Sequence, residues 1–363
     1  MKREMALLSK ACSSLAGWLG VMLSLASTTI AWANHVHMHG GPFLGVVLSV
    51  AVDPTHPLTL YAAAHGGGVF RSQDGGESWV AFNTGLPDRQ VFTLLLHPNE
   101  PNTIYVGTDQ GVFQRTNQNS RWRLLTPTLE KRNIRYLAAD PIDSDLLCAA
   151  TDQGVFSGKS GQWRNTSKDL LNRDVRMLAI SSQGTIFAGT FGGIFKKNKG
   201  ESGWKSANEG LVDKRVRALA IHPSSPDVLY AGTATGGVFK TSDGGKSWRE
   251  FNRGLLNSTV LSLNLAPSGE DLYAGTVDGI FKSRTGADQW LAIGPELPFT
   301  VATLSFDPTV RRRLYAGSGG RLFKSSDAGQ TWREIGHKIN YFGPVPLPTK
   351  PSAGRVNSKL ERR

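Results

Sequence analysis

Short apolar runs broken by glycine-rich turns repeat along this chain, and the stretch Leu229–Trp248 shows the unit most plainly. Leu229-Tyr230-Ala231-Gly232-Thr233 suits a strand, Gly236-Gly237 turns the chain, and Val238-Phe239-Lys240-Thr241 runs back. Ser242-Asp243-Gly244-Gly245 makes a second turn ahead of Ser247-Trp248, where a further strand begins. Upstream, Val216–Ile221 is a strand-like run stopped by His222-Pro223. One unit therefore predicts four short strands.

Three aromatic series keep the same beat. Trp79, Trp122, Trp163, Trp204, Trp248, Trp290 and Trp332 are spaced 43, 41, 41, 44, 42 and 42 residues apart. Phe70, Phe113, Phe156, Phe195, Phe239, Phe281 and Phe323 recur ahead of them, and Tyr61, Tyr105, Cys148, Phe187, Tyr230, Tyr273 and Tyr315 ahead of those. Four strands at a period of 40–45 residues is the pattern of propeller blades, which cannot bury both faces alone and so stack around an axis. The prediction is an all-β, seven-bladed β-propeller with four-stranded antiparallel blades over residues 43–337. The units run in phase from about Val46 to Ile335, so no terminus is expected to lend a strand to the last blade.

Ser72-x-Asp74-x-Gly76-x-Ser78-Trp79 and Ser325-x-Asp327-x-Gly329-x-Thr331-Trp332 share one motif, and Thr241-x-Asp243-x-Gly245-x-Ser247-Trp248 differs only in its first residue. In this the chain resembles the Asp-box (BNR) β-propellers. In organisation it looks most like the photosystem II assembly factors; sialidases and sortilin-type receptors are more distant. The motif is shared by enzymes and binders, so the resemblance implies a fold rather than an activity. Asp74, Asp243 and Asp327 are expected to close turns by accepting backbone N–H groups, and Trp79, Trp248 and Trp332 to pack between blades. The other four repeats keep the tryptophan and lose the aspartate.

Outside the repeats, residues 1–33 read as a signal peptide: Lys2, Arg3 and Lys10, an apolar stretch to Ile30, and Ala31-Trp32-Ala33 as the cleavage site. Export to the periplasm or beyond follows, with membrane association kept open. Residues 34–42 form an arm carrying His35, His37 and His39, which reads as fortuitous rather than as a metal site. Residues 338–363 read as a basic, proline-rich disordered tail. Of the two cysteines, Cys12 lies in the signal and Cys148 takes an aromatic's place in the core, so no disulfide is expected.

Charge narrows the search for function. The chain carries +12; the signal (three basic, one acidic) holds +2 and the tail (six basic, one acidic) +5, which leaves about +5 for the propeller. The connections leading into four consecutive blades hold nine basic and four acidic residues, a surplus equal to that whole excess. The basic set is Arg89, Lys131, Arg132, Arg135, Arg173, Arg176, Lys214, Arg215 and Arg217; the acids are Asp88, Glu130, Asp174 and Asp213. Equivalent connections at 257–260 and 298–301 are uncharged. Arg135, Arg176 and Arg217 share one repeat position and should form a curved row on one face. Guanidinium forks so placed suit carboxylates or phosphates, which they can bind bidentately. By contrast, Arg123, Arg164, Lys205, Arg249 and Arg333 follow the blade tryptophans and read as protection of an outer edge.

These observations predict an exported, non-catalytic, monomeric scaffold that binds a protein or peptide bearing acidic or carboxylate groups on the arginine face, with no metal and no cofactor. The alternative is a glycan-binding or glycoside-hydrolysing propeller working through Asp109, Asp152 and Asp278, which share that face. His65 also falls there, without a catalytic partner, and Tyr136 is a loose candidate for a sialidase-like nucleophile. An anionic membrane surface is a further possible partner for the tail and the face. Nucleic acid is disfavoured by export.

Overall fold

The structure is a computed structural model that describes residues 45–340, apart from 101, 117–120, 296, 298 and 299. The expected signal peptide, the histidine arm and residues 341–363 of the expected tail lie outside the described residues. What is described is a seven-bladed β-propeller with four-stranded antiparallel blades, each a meander in chain order. The first strands of neighbouring blades contact one another around the ring, the last contacting the first, so these strands line the axis.

Seven hydrophobic clusters fill the seven blade interfaces. Each contains one repeat tryptophan set against the preceding blade; Trp290, for example, packs with Tyr230 and Phe251 of blade 5. Burying a face of every blade against its neighbour is what makes the closed ring stable, since a blade alone would leave both faces wet. The Trp122, Trp204, Trp248 and Trp290 indole N–H groups donate to carbonyls of the preceding blade at 2.6–2.9 Å. Trp79 and Trp332 instead donate to Gly76 and Gly329 of their own boxes, both at 3.0 Å.

Two glycines show how tightly the blades approach. Gly232, in the second strand of blade 5, would carry a Cβ only 2.5 Å from Val260 of the next blade. Gly76 sits at φ +97°, and a Cβ there would lie 2.5 Å from Ile335 across the seam between blades 7 and 1. A side chain is excluded at both on space, and at Gly76 on backbone conformation as well.

The boxes build turns as expected. Asp243 accepts from the Thr241 hydroxyl at 2.7 Å, from the Lys246 and Ser247 N–H groups at 2.9 and 3.0 Å, and from the Ser247 hydroxyl at 2.6 Å. Asp74 and Asp327 repeat the arrangement with Ser72 and Ser78, and with Ser325 and Thr331. Cys148 is wholly buried, and burial pushes its thiol up to about 12, which suits a core residue and not a nucleophile.

At one place the expectation needs correction. Lys338–Asn340 is a strand, paired parallel to Ser78–Ala81, and gives blade 1 a fifth, outermost strand. The propeller thus runs three residues past the boundary expected at 337. The last blade is still built wholly from contiguous chain, so it is the first blade's outer edge that the C-terminal segment covers.

Candidate functional site

The basic connections hydrogen-bond to the turns between strands two and three, which puts both on one face. Gly66 N–H donates to Arg89 O at 3.0 Å, Lys131 N–H to Gln110 O at 3.1 Å, and Ala234 N–H to Arg215 O at 3.0 Å. On this face the first strand of every blade breaks register once, just past its start. The unpaired residue at the break is Leu48, Phe92, Arg135, Arg176, Arg217, Leu261 or Ala302, in blades 1 to 7. A β-bulge turns its extra side chain away from the ladder. Here seven bulges ring the axis, and all seven side chains are half-buried.

The ring is divided. Blades 3, 4 and 5 contribute arginine, and blades 6, 7, 1 and 2 contribute leucine, alanine, leucine and phenylalanine. The arginines feel one another: burial lowers the Arg135 pKa, and the Arg176 charge lowers it further. Arg217 is lowered by burial and then by Arg176 and Arg215. Asp174 holds the first two together, accepting from Arg135 and, at 2.8 Å, from Arg176. Phe191, in a turn of blade 4, lies between the next pair, its centroid 4.3 Å from the Arg176 guanidinium and 5.6 Å from that of Arg217. Aromatic faces stabilise such cations while leaving their forks available to an anion.

The remaining basic residues divide by role. Arg132 lies 4.7 Å over the Phe156 ring and donates to Thr128 O at 3.0 Å and to Gln153. Arg215 pairs with Asp213 at 3.0 Å and also reaches Thr235. Burial would push the Asp213 carboxyl up, but the Arg215 and Thr235 donors outweigh it and bring it down to about 2. Lys131, Arg173 and Lys214 are exposed, with no side-chain ion pair among the described residues. Arg89 is half-buried, and its carbonyl ties down the Gly66–Gly68 turn.

The His65 ring lies tilted against Phe92, centroids 5.0 Å apart, and its pKa is lowered by burial although Asp109 and Asp88 pull the other way. Asp152 and Asp278 are exposed in turns of blades 3 and 6, and Asp278 accepts from Asn257 at 2.6 Å. Tyr136, next to Arg135 in the first strand of blade 3, packs partly buried against the core cluster between blades 3 and 4, and burial raises its pKa. Buried polar atoms without a protein partner gather around this mouth: His65 Nδ1, Gln90 Oε1, Asp109 Oδ1, Asn133 Oδ1 and Arg176 Nε. Sequence reasoning found the arginine row and missed its apolar complement, Phe191 and the bridging role of Asp174. Aligning the seven repeats at the Arg135 position would have shown the first of these.

The chain matches no family model and no curated protein sequence. Among solved structures it is similar to an ancestral GH74 enzyme, with a TM-score of 0.68 and 20% identity over 82% of this chain and 47% of that one. It is similar to the extracellular domain of a one-component-system protein from B. thetaiotaomicron (TM-score 0.64, 16% identity, 77% of this chain and 38% of that one). It is also similar to YCF48 bound to D1 peptide, with a TM-score of 0.60 and 16% identity over 78% of this chain and 94% of that one. The chain thus spans less than half of the GH74 enzyme and of the one-component-system domain, and nearly all of the YCF48 chain. At these identities what is shared is the seven-bladed propeller fold, found alike in a GH74 enzyme, in extracellular domains and in a protein solved with a peptide bound.

Proposed function

We propose that this protein is an exported binding scaffold whose axial arginine arc receives the acidic segment or terminal carboxylate of a protein partner, in the assembly of an envelope or membrane complex. The observation that carries the reading is the bulge ring. Three guanidiniums on adjacent blades are held half-buried at the axis, within reach of each other's repulsion, by Asp174 and Phe191. Like charges gathered at such a site favour an anion that can neutralise more than one of them. The apolar half of the ring, Leu48, Phe92 and Leu261, offers a surface for the side chain next to that carboxylate. YCF48, of similar fold and length, has been solved with a peptide bound, which supports a peptide in preference to a small ion.

The test uses a synthetic acidic peptide with a free C-terminal carboxylate and the same peptide amidated. The double variant Arg176→Gln/Arg217→Gln is expected to weaken the free-acid peptide at least about tenfold, with thermal stability nearly unchanged. Wild-type affinity should fall as salt rises past the screening range. Equal binding by parent and variant, or equal binding of amide and acid with no salt dependence, sinks the reading.

A further inference from the structure

Leu171, Val212 and Leu256 stand almost wholly in solvent, at 86%, 79% and 85% exposure. They share one repeat position in the connections into blades 4, 5 and 6, on the arginine-bearing face. Each follows a leucine that anchors its connection (Leu170, Leu211 or Leu255), so the exposed neighbour does no packing of its own. The same position leading into blades 2 and 3 holds Pro87 and Glu130. Other exposed aliphatics are less regular: Leu58, Ile142 and Val310 lie in turns on the opposite face, in blades 1, 3 and 7, at 59%, 49% and 38%, and Leu291, at 63%, lies in the outermost strand of blade 6.

The aliphatic arc is interleaved with cations. Arg173 follows Leu171 by two residues and Lys214 follows Val212 by two; both are exposed and neither has an ion-pair partner among the described residues. The acids of these two connections do not neutralise them, because Asp174 is tied to Arg135 and Arg176, and Asp213 to Arg215. Isolated aliphatic tips on three successive loops, two of them with a cation beside the aliphatic, do not form a groove into which a folded partner could fit. They suit a surface that yields to them while carrying negative charge at the depth of the cations. We propose that this arc is a shallow docking surface for an anionic lipid bilayer. Leu171, Val212 and Leu256 enter the boundary between headgroups and acyl chains, while Arg173 and Lys214 pair with lipid phosphates. Docked this way, the axial arginines face the membrane, where a segment leaving the bilayer can reach them. The docking residues are distinct from the bulge arginines, so this inference stands or falls separately from the peptide reading.

The experiment places a fluorophore on the full-length chain at Leu256→Cys or, on the opposite face, at Ser224→Cys. Cys12→Ser is included in both, and buried Cys148 is left in place. Vesicles contain phosphatidylcholine alone or mixed equally with phosphatidylglycerol, with bromine on the acyl chains as quencher. The label at 256 is expected to be quenched on the anionic vesicles only, and the label at 224 on neither. Leu171→Ser/Val212→Ser/Leu256→Ser should weaken flotation with anionic vesicles roughly tenfold or more, whereas Arg176→Gln/Arg217→Gln should leave quenching at 256 intact. No quenching at 256, or equal quenching at 224, overturns the proposal. The first result also covers a face that captures a protein instead; the second marks binding through another segment.

Discussion

Asp174 is the residue on which the arginine face turns, because it already supplies the carboxylate that two of the three axial guanidiniums would otherwise take from a partner. An incoming carboxylate must compete with it. Asp174→Asn keeps the size and removes the charge, so the acidic peptide should bind about three- to tenfold more tightly, as expected when one half-exposed competing charge is lost. The same change loosens the Arg135–Asp174–Arg176 bridge and should lower stability by about 0.5–1 kcal/mol. Calorimetric titration and thermal unfolding of one preparation read both effects. Weaker binding together with lower stability would mean that Asp174 positions the arginines rather than competing for them. The sequence shows Asp174 only as one acid among four in the connections. Its bridging role depends on Arg135, from the neighbouring blade, and no local pattern encodes that contact.

At the scale of the element, the blade is legible because its constraints are local. The Trp and Phe beat reports strands of fixed length, and Ser72, Asp74 and Gly76 report a turn closed within five residues. The bulges are not legible, since Ile134-Arg135-Tyr136 reads like any other strand until its partner shows that Arg135 is skipped. The box turns make a prediction of their own. Hydrogen bonds from Thr331 and Ser325 hold the Asp327 carboxyl down to about 2, and those from Ser247 and Thr241 lower Asp243 as well. An unfolded aspartate titrates near about 3.9. The folded state therefore prefers the ionised form, and the stability so gained is intact above about pH 4 and is lost as pH falls through about 2. Asp243→Ala should cost about 1–2 kcal/mol near neutral pH, from the turn bonds it removes. The double variant Asp243→Asn/Asp327→Asn should be less stable at neutral pH and lose less than the parent on acidification. Urea unfolding at about pH 7, 4 and 3 measures this directly, and parallel curves for parent and variant would remove the boxes from the account of acid stability.

The whole molecule is a ring, and a ring is only as stable as its seam. Between blades 7 and 1 the core cluster of Tyr315, Leu322 and Ile335 against Val47, Phe70 and Trp79 resembles those at the other interfaces. Polar ties add to it: Lys324 donates to Gly75 O at 3.1 Å, and Arg333 makes a paired bridge to Glu77. Arg333 was expected to guard an edge like its counterparts at 123, 164, 205 and 249, and in addition it reaches across the seam. The Glu77 carboxyl is lowered by its bond to Arg333, and the Arg333 pKa is raised in return. Lys338–Asn340 then lies along Ser78–Ala81 and covers the outer edge of the blade that opens the ring. This strand escapes sequence reading because it pairs in parallel with a segment at the far end of the domain, and Lys338-Ile339-Asn340 matches no repeat position. The seven internal blades need only their neighbours, whereas this last strand joins the two ends of the domain. Removing residues 338–363 should therefore lower thermal stability by several degrees while leaving the strand content of the circular dichroism spectrum nearly unchanged, since a few backbone hydrogen bonds are lost at about 0.5–1.5 kcal/mol each. It should also leave Ser78–Ala81 as an open edge, and such edges pair with other chains. The truncated protein is expected to self-associate with rising concentration in sedimentation velocity, and Val80→Lys on that edge should suppress the association without restoring the melting temperature. A truncated chain that melts with the parent and shows no concentration dependence would mean that the hydrophobic seam closes the ring unaided.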